Sequence, residues 1–348
     1  MRELIINDFV VNDESECFVI AEVGHNHQGS VETAKQIFDK AKEAGANAVK
    51  LQKRDNKVLF TKKMYNSHYD SRNAYGDTYG AHRDALEFGM EEYIELQQYA
   101  KKIGLVFFAT PFDLPSVDFL EKLNMPLYKI ASGDLKSTPL LKYVAKTGKP
   151  VIVSTGGGEM EDVQRAYDVI TAENPNIAIL QCTAAYPCEP EEMNLNVITT
   201  YREKFSDKVI GLSDHQSGIS MATVAFTLGA RIVEKHFTIN RAWRGTDHAF
   251  SLEPVGLTKL VRDLRRAKIA LGDGVKKSIE KEKNPLFKMG KKLVAKNDLF
   301  KGKILTDKDI TLKSPNDGLP PYEWDNVIGL TLQKDLKKDE NISFNDLN

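Results

Sequence analysis

Lys50 and Lys129 each stand inside a short apolar run, AVKLQK and LYKIAS, while His215 and His236 lie in two others, VIGLSDH and IVEKHFT. A lysine embedded among β-branched and aromatic residues is costly to bury without an anionic partner, so each points to a bound anion. Hydroxyls recur in neighbouring runs: Thr110 in VFFATPF, Ser132 in LYKIAS, Ser154 in VIVST and Ser213 in VIGLSDH. Two ammonium groups with these hydroxyls suit a small compound that bears both a phosphate and a carboxylate. Two imidazoles without a cysteine leave coordination positions for water and substrate oxygen. That favours Mn²⁺ or Mg²⁺, with Co²⁺ an alternative, over Zn²⁺. One isolated histidine is better read as a hydrogen-bonded core residue, but a pair at adjacent strand ends reverses those odds. His25 and His27, in GHNHQG, compete for the ligand role. Their place in a turn beside Asn26 and Gly29 gives them a secondary, substrate-positioning role.

These side chains can meet only if the runs that carry them lie side by side. From residue 18 to 271, β-branched or aromatic runs alternate with amphipathic helical stretches, as βα units around a parallel sheet do. Eight runs read as strands: 18–24, 48–53, 106–112, 127–132, 151–155, 178–184, 209–215 and 232–238. Helix candidates follow them. Ser30 can N-cap a segment whose Ala34, Ile37, Phe38, Ala41 and Ala44 recur at helical spacing before Gly45 stops it. The stretch 256–271 places Leu257, Leu260, Val261, Leu264, Ala267 and Leu271 on one stripe. With no G-x-G-x-x-G turn after the first strand, this pattern matches a closed (β/α)₈ TIM barrel better than an open doubly wound sheet.

A barrel puts its chemistry at the C-terminal strand ends. Those ends offer Glu22; Lys50 with Gln52 and Lys53; Thr110; Lys129 with Ser132; Ser154; Thr183 with Tyr186; Ser213 with Asp214 and His215; and Glu234 with His236. Strands seven and eight are neighbours, which brings His215 and His236 within reach of one metal ion. The insertion 54–89, rich in Tyr, Asn, His and Arg, is placed to shape the pocket.

The 348 residues carry 48 basic against 49 acidic side chains, so no single-sign field predicts a nucleic-acid or membrane partner. There is no apolar run of roughly eighteen residues, and a cytoplasmic protein is expected. Cys17, Cys182 and Cys188 are odd in number and lack C-x-x-C spacing, which argues against a disulfide framework. The charged stretch 272–290 reads as a linker between a catalytic domain, 1–271, and a small unit, 291–348, of short strands and turns.

The motifs IAEVGHNHQGS, AVKLQK, TPF, YKIASGD, CTAAYP, GLSDH, EKHFT and GTDHAFSLEP resemble, in order, those of the sialic acid synthase family. The tail, with KSPNDGLPP and NVIGL, is similar to that family's antifreeze-like domain, a β-clip-like unit also called an SAF domain. The resemblance implies an N-acetylneuraminate synthase-type transferase. It would condense phosphoenolpyruvate with an open-chain N-acetylmannosamine-type sugar, giving a 3-deoxy-2-keto acid and inorganic phosphate by carbon–oxygen cleavage. In that scheme a metal on His215 and His236 polarises the sugar aldehyde. Lys50, Thr110, Lys129, Ser132, Ser154 and Ser213 hold phosphoenolpyruvate. Glu22 or Asp134 activates a water, and Gln52, Tyr186, Asp247 and His27 meet the 2-acetamido sugar. A homodimer is also implied, each tail covering the partner's barrel mouth.

Three positions depart from the bacterial pattern: Ala184 stands for Asn, Asp134 for Glu and Ser314 for the Arg that reaches the N-acyl group. Lys313 or Asn316 would have to substitute for that Arg. Several motifs are more similar to animal-type enzymes, some of which take a 6-phosphorylated sugar. A phosphorylated acceptor is therefore an expectation, with Lys53, Arg72 and Arg83 as candidate contacts. Synthases for legionaminic or pseudaminic acid are the alternative within the class. A non-catalytic carbohydrate- or ice-binding protein is the alternative outside it, and Glu22, Lys50, Lys129, His215 and His236 together speak against that.

Overall fold

The computed structural model describes residues 2–348. Strands β1 (Glu3–Ile6) and β2 (Phe9–Asn12) form an antiparallel hairpin, with Asn7 in the left-handed region at φ 49°. Eight parallel strands follow: β3 (Phe18–Gly24), β4 (Ala48–Lys53), β5 (Val106–Pro111), β6 (Tyr128–Ile130), β7 (Val151–Ser154), β8 (Ile177–Cys182), β9 (Val209–Asp214) and β10 (Ile232–His236). They close in chain order, and the seam pairs β10 with β3, setting His236 opposite Glu22. The expected TIM barrel is present. Its first helix, Val31–Ala44, begins where Ser30 Oγ accepts from Thr33 N–H at 3.2 Å and ends at Gly45, φ 89°.

Strand alternation sorts the apolar side chains into two cores. Residues pointing outward, such as Val19, Ala21, Val49, Leu51, Phe107, Val153 and Val233, pack with Ile37, Phe38, Leu96, Val117 and Leu260 of the surrounding helices. Residues pointing inward, Ile20, Ala48, Val106, Phe108, Leu127, Ile152, Ala178, Leu180, Val209 and Ile232, fill the barrel floor. Leu4, Ile6 and Val11 of the hairpin join this inner cluster. Gly211 belongs to the inward row. A Cβ there would lie 2.4 Å from Leu180 Cδ2 and 2.5 Å from the Ile232 carbonyl oxygen, so glycine is required for the floor to close.

The hairpin falls outside the eight strands read from the sequence. Its signal is present in ELIINDFVVN, where Leu4 and Ile6 alternate before an Asn-Asp turn, but four-residue strands carry little periodicity. Strands β6 and β8 end earlier than 127–132 and 178–184, because the chain leaves the ladder to line the mouth, at β6 through a tight turn, Ser132–Asp134. The insertion 54–89 contains three short helices, Asn56–Leu59, Lys62–Tyr65 and Tyr79–Asp84. Aromatic contacts pin them: Tyr79 meets Phe60 edge-on at 5.1 Å, and Tyr69 stacks on His82 at 4.6 Å.

A second compact unit begins at Asp273. Within the expected linker, 272–290, lies an exposed short helix, Lys283–Met289. Beyond it β11 (Lys292–Ala295) pairs antiparallel with β12 (Ile310–Lys313), over a core that includes Leu293, Leu305, Val327, Leu332 and Ile342. Among the described residues no helix is long and apolar enough to cross a membrane.

Candidate active site

One pleat above the apolar floor the inward row becomes polar. Ile20 is followed by Glu22, Ala48 by Lys50, Phe108 by Thr110, Leu127 by Lys129, Ile152 by Ser154 and Ile232 by Glu234; all six polar residues line one cavity at the C-terminal strand ends. Lys50 Nζ lies 2.8 Å from Glu22 Oε2 and donates to Thr110 Oγ1 at 2.9 Å. Lys129 Nζ lies 3.4 Å from Glu234 Oε1, which also accepts from Ser213 Oγ at 3.4 Å. None of the four charged residues is more than 5% exposed. Two ammoniums and two carboxylates therefore neutralise each other where an isolated charge would not survive.

Burial pushes the Glu22 carboxyl up, and the nearby Glu234 adds to the effect against the pull of Lys50. Glu234 is also penalised by burial, but Lys129 and Lys50 hold it down. Burial pushes the Lys129 ammonium down. Glu22 is thus the carboxyl of the quartet poised to exchange a proton. Gln52 Nε2 donates to its Oε1 at 2.7 Å. Ser132 Oγ accepts from Gly156 N–H at 2.9 Å, and Ser154 Oγ is buried with no partner, leaving a hydroxyl open to a ligand.

His215 and His236 line the same cavity with ring centroids 5.5 Å apart. The Thr183 carbonyl oxygen, 2.8 Å from His215 Nδ1, keeps the proton on that nitrogen and leaves Nε2 with its lone pair. His236 Nδ1 is buried without a hydrogen-bond partner and lies 3.8 Å from Asp247 Oδ2. Tyr186 packs on His215 at 4.2 Å and Phe250 on His236 at 4.9 Å. Burial lowers both imidazoles, His215 to about 4 with the charge of His236 contributing, so both are neutral at neutral pH. Among the described residues no three His, Cys, Asp or Glu side chains are grouped to hold a metal. A divalent cation fits here only with two imidazoles and oxygens from water or substrate completing its shell.

Asp247 faces His236 on one side and a cationic group on the other. In that group His25 Nε2 is 3.0 Å from Arg54 Nη1, and His25 Nδ1 is 3.2 Å from Arg83 Nη1. Burial and the two guanidinium charges keep His25 well below its ordinary pKa, hence neutral. Arg54 also donates to Gln52 Oε1 at 2.6 Å and lies over the Phe112 ring at 3.8 Å.

A model of the NeuB family matches residues 37–276, and one of the SAF domain matches 292–348. The chain belongs to the NeuB family. It is 40% identical over 333 residues to N-acetylneuraminate-9-phosphate synthase of Homo sapiens, across 95% of this chain and 93% of that protein. It is 36% identical over 326 residues to N,N'-diacetyllegionaminic acid synthase of Campylobacter jejuni, across 92% and 97%. A solved N-acetylneuraminic acid synthetase from Leptospira borgpetersenii, in complex with citrate, superposes with a TM-score of 0.71 at 31% identity, over 82% of this chain and 95% of that one. This NeuB-family chain is accordingly an enzyme of the sialic and related nonulosonic acid synthase kind.

Of the NeuB-family residues named from sequence, Glu22, Lys50, Gln52, Thr110, Lys129, Ser132, Ser154, Tyr186, Ser213, His215, His236 and Asp247 all line the cavity, as does Arg83. Four others stand away from it. His27 is buried against Phe88 at 4.2 Å, its Nδ1 accepting from Gly29 N–H, and burial lowers it to about 3; His25 takes the rim position instead. Asp134 turns its carboxyl off the cavity, where burial pushes it up to about 6. Lys53 points outward to Glu87 Oε2 at 3.3 Å and the Phe88 carbonyl at 2.8 Å, and Arg72 is exposed elsewhere. Arg54 was missed, although the two-residue step through Ala48, Lys50 and Gln52 leads to it. Glu234, at a strand end, has no role that the sequence alone assigns. Ala184 lines the cavity, whereas Ser314 is exposed on the second unit and Lys313 is tied to Asp339 at 2.5 Å.

Proposed function

We propose that the protein condenses phosphoenolpyruvate with an N-acetylmannosamine-type 2-acetamido sugar, free or as its 6-phosphate, to a 3-deoxy-2-keto acid with release of inorganic phosphate. The observation that carries this reading is the neutral buried quartet of Glu22, Lys50, Lys129 and Glu234 beside two neutral imidazoles in one cavity. Lys50 and Lys129, with the hydroxyls of Thr110, Ser132, Ser154 and Ser213, bind the phosphate and carboxylate of the donor. His215 and His236 would hold a divalent cation, Mn²⁺ by the chemistry of the donor set, and the cation supplies Lewis acidity at the aldehyde oxygen.

Attack by donor C3 on the aldehyde carbon forms the new bond, turns the aldehyde oxygen into an alkoxide that takes up the proton later released from the attacking water, and leaves positive charge at C2, which the carboxylates of Glu22 and Glu234 face. A water adds at C2, and Glu22, hydrogen-bonded to Lys50 and Gln52 and raised by burial, takes its proton. The tetrahedral carbon then expels phosphate by breaking the carbon–oxygen bond, the leaving oxygens being met by the two lysines. Asp134 does not serve as this base, since its carboxyl is outside the cavity. Tyr186, Gln52 and Asp247 surround the sugar. The likeness to the Campylobacter legionaminic acid synthase supports a second acceptor, a diacetamido sugar.

The test is phosphate release from phosphoenolpyruvate against a panel of 2-acetamido sugars, with and without Mn²⁺. Release that needs both sugar and metal is expected. Release without sugar, or none with any sugar of the panel, overturns the proposal.

A further inference from the structure

We infer that Asp214 and Lys235, an ion pair buried behind the barrel wall, are positioning residues that fix the spacing of His215 and His236 and so set how tightly the protein holds a divalent cation; the inference rests on the metal-binding role proposed above for those histidines. Strand alternation turns His215 and His236 into the cavity and their neighbours Asp214 and Lys235 to the outer face. Lys235 Nζ donates to Asp214 Oδ2 at 2.6 Å, and the two side chains are 1% and 0% exposed. The same ammonium donates to the Gln216 carbonyl oxygen, while Gln216 N–H donates to Asp214 Oδ1 at 2.8 Å. Lys235 thus grips the chain on both sides of His215.

Backbone pairing stops short of the two imidazoles. Strands β9 and β10 are in register from Gly211 opposite Ile232 to Asp214 opposite Lys235, and the ladder ends there. His236 pairs with Glu22 of β3 and has no partner on β9. The ion pair is therefore the last rung between the two strands that carry the histidines. Two further contacts of His215 come from the β8 side: its Nδ1 faces the Thr183 carbonyl oxygen at 2.8 Å, and its own carbonyl accepts from Cys188 N–H at 3.1 Å. Without Lys235, His215 would follow the β8 side and His236 would follow β3. The 5.5 Å between their ring centroids would lose its direct tether.

Stability gives no reason for the pair. The same outward rows hold Ile210 and Leu212 on β9 and Val233 on β10, all packed in the outer core. Apolar side chains at 214 and 235 would continue that packing without desolvating two charges, whereas a buried ion pair gains little over them. Charge supplies direction, which packing does not: one ammonium bonded to two fixed acceptors defines where the backbone of residues 214–216 lies. Residues that orient metal-binding side chains from behind typically change metal affinity by about 10–100-fold.

The experiment uses the whole protein without substrates and measures the Kd of Mn²⁺ by electron paramagnetic resonance of the free aqua ion, in wild type, K235M, D214N and D214L/K235M, with melting temperatures alongside. The doubly apolar variant separates position from stability. It should melt within a few degrees of wild type, yet bind Mn²⁺ about 10–100-fold more weakly. K235M should weaken binding as much and melt lower, because it leaves Asp214 buried and unpaired. D214N, isosteric and able to keep the Gln216 contact, should weaken binding less than K235M. Phosphate release by K235M should return to within about threefold of wild type at saturating Mn²⁺, since Lys235 does not line the cavity.

Wild-type Mn²⁺ affinity in the double variant would overturn the inference, as would a wild type that binds no Mn²⁺. So would a K235M enzyme that stays slow at saturating Mn²⁺, for the pair would then act on something other than the metal. If the double variant fails to fold, D214N decides: weaker Mn²⁺ binding upholds the inference, and unchanged binding overturns it. Mn²⁺ binding without any sugar-dependent phosphate release fells the function proposed above, and the affinities still judge the pair.

Discussion

The floor and the mouth of this barrel are built from the same strands and the same inward-facing row, yet they do opposite work. At the floor Ile20, Ala48, Phe108, Leu127, Ile152 and Ile232 pack against the hairpin. One pleat higher Glu22, Lys50, Thr110, Lys129, Ser154 and Glu234 face a cavity. A buried ion-pair cluster stabilises a fold weakly if at all, since desolvation offsets most of the attraction. The apolar layer supplies the packing that lets the strands hold four charges in fixed places. Stability and chemistry are separated by about 7 Å, two residues of strand.

This division of labour is open to attack from both sides. The largest effect belongs to the mouth: His215→Ala should lower metal-dependent phosphate release on the order of 10³-fold while the melting temperature moves only a few degrees. A collapse in stability there would mean that the mouth helps hold the barrel closed. Next comes the floor, where Phe108→Ala should cost about 3–5 kcal/mol in urea unfolding. Activity per folded molecule should stay within about threefold of wild type in that variant, because the cavity is lined by the layer above. Losing activity before stability would erase the distinction between the layers.

The smallest effect tests Asp134, half-buried and outside the mouth. Its folded pKa is raised to about 6 from an ordinary value near 4, so the folded state binds the proton more tightly. Its stability contribution is full below pH 4 and is lost as pH rises through 6. Asp134→Asn should therefore raise the melting temperature relative to wild type at pH 8 and not at pH 4. Equal shifts at both values would show that the carboxyl is solvated.

The eight strands were legible because each is an apolar run bounded by polar turns, and the mouth was legible because polar residues interrupt those runs at their C-terminal ends. Direction was harder. Lys53 and Arg54 are adjacent cations just past Gln52, and only the two-residue step shows that Arg54 points inward while Lys53 points out to Glu87. His25 and His27 sit in one turn, where no period tells which ring reaches the cavity; packing on Phe88 decides it. Asp134 has the right residue type at a strand end, but the turn Ser132–Asp134 carries its carboxyl away. Glu234 was visible, though its role follows only from its distances to Lys129 and Ser213.

The hairpin at the N-terminus makes the barrel a vessel with a single opening. Leu4, Ile6 and Val11 seal the lower end, so a molecule resting on Lys50 and Lys129 must have passed the rim where Asp247, Arg54 and Arg83 stand. A sugar lying across that rim is a stopper. On the function proposed above, turnover is then expected to be a queue in which the enolpyruvate enters first, the sugar closes the neck behind it, and nothing leaves until the joined product withdraws.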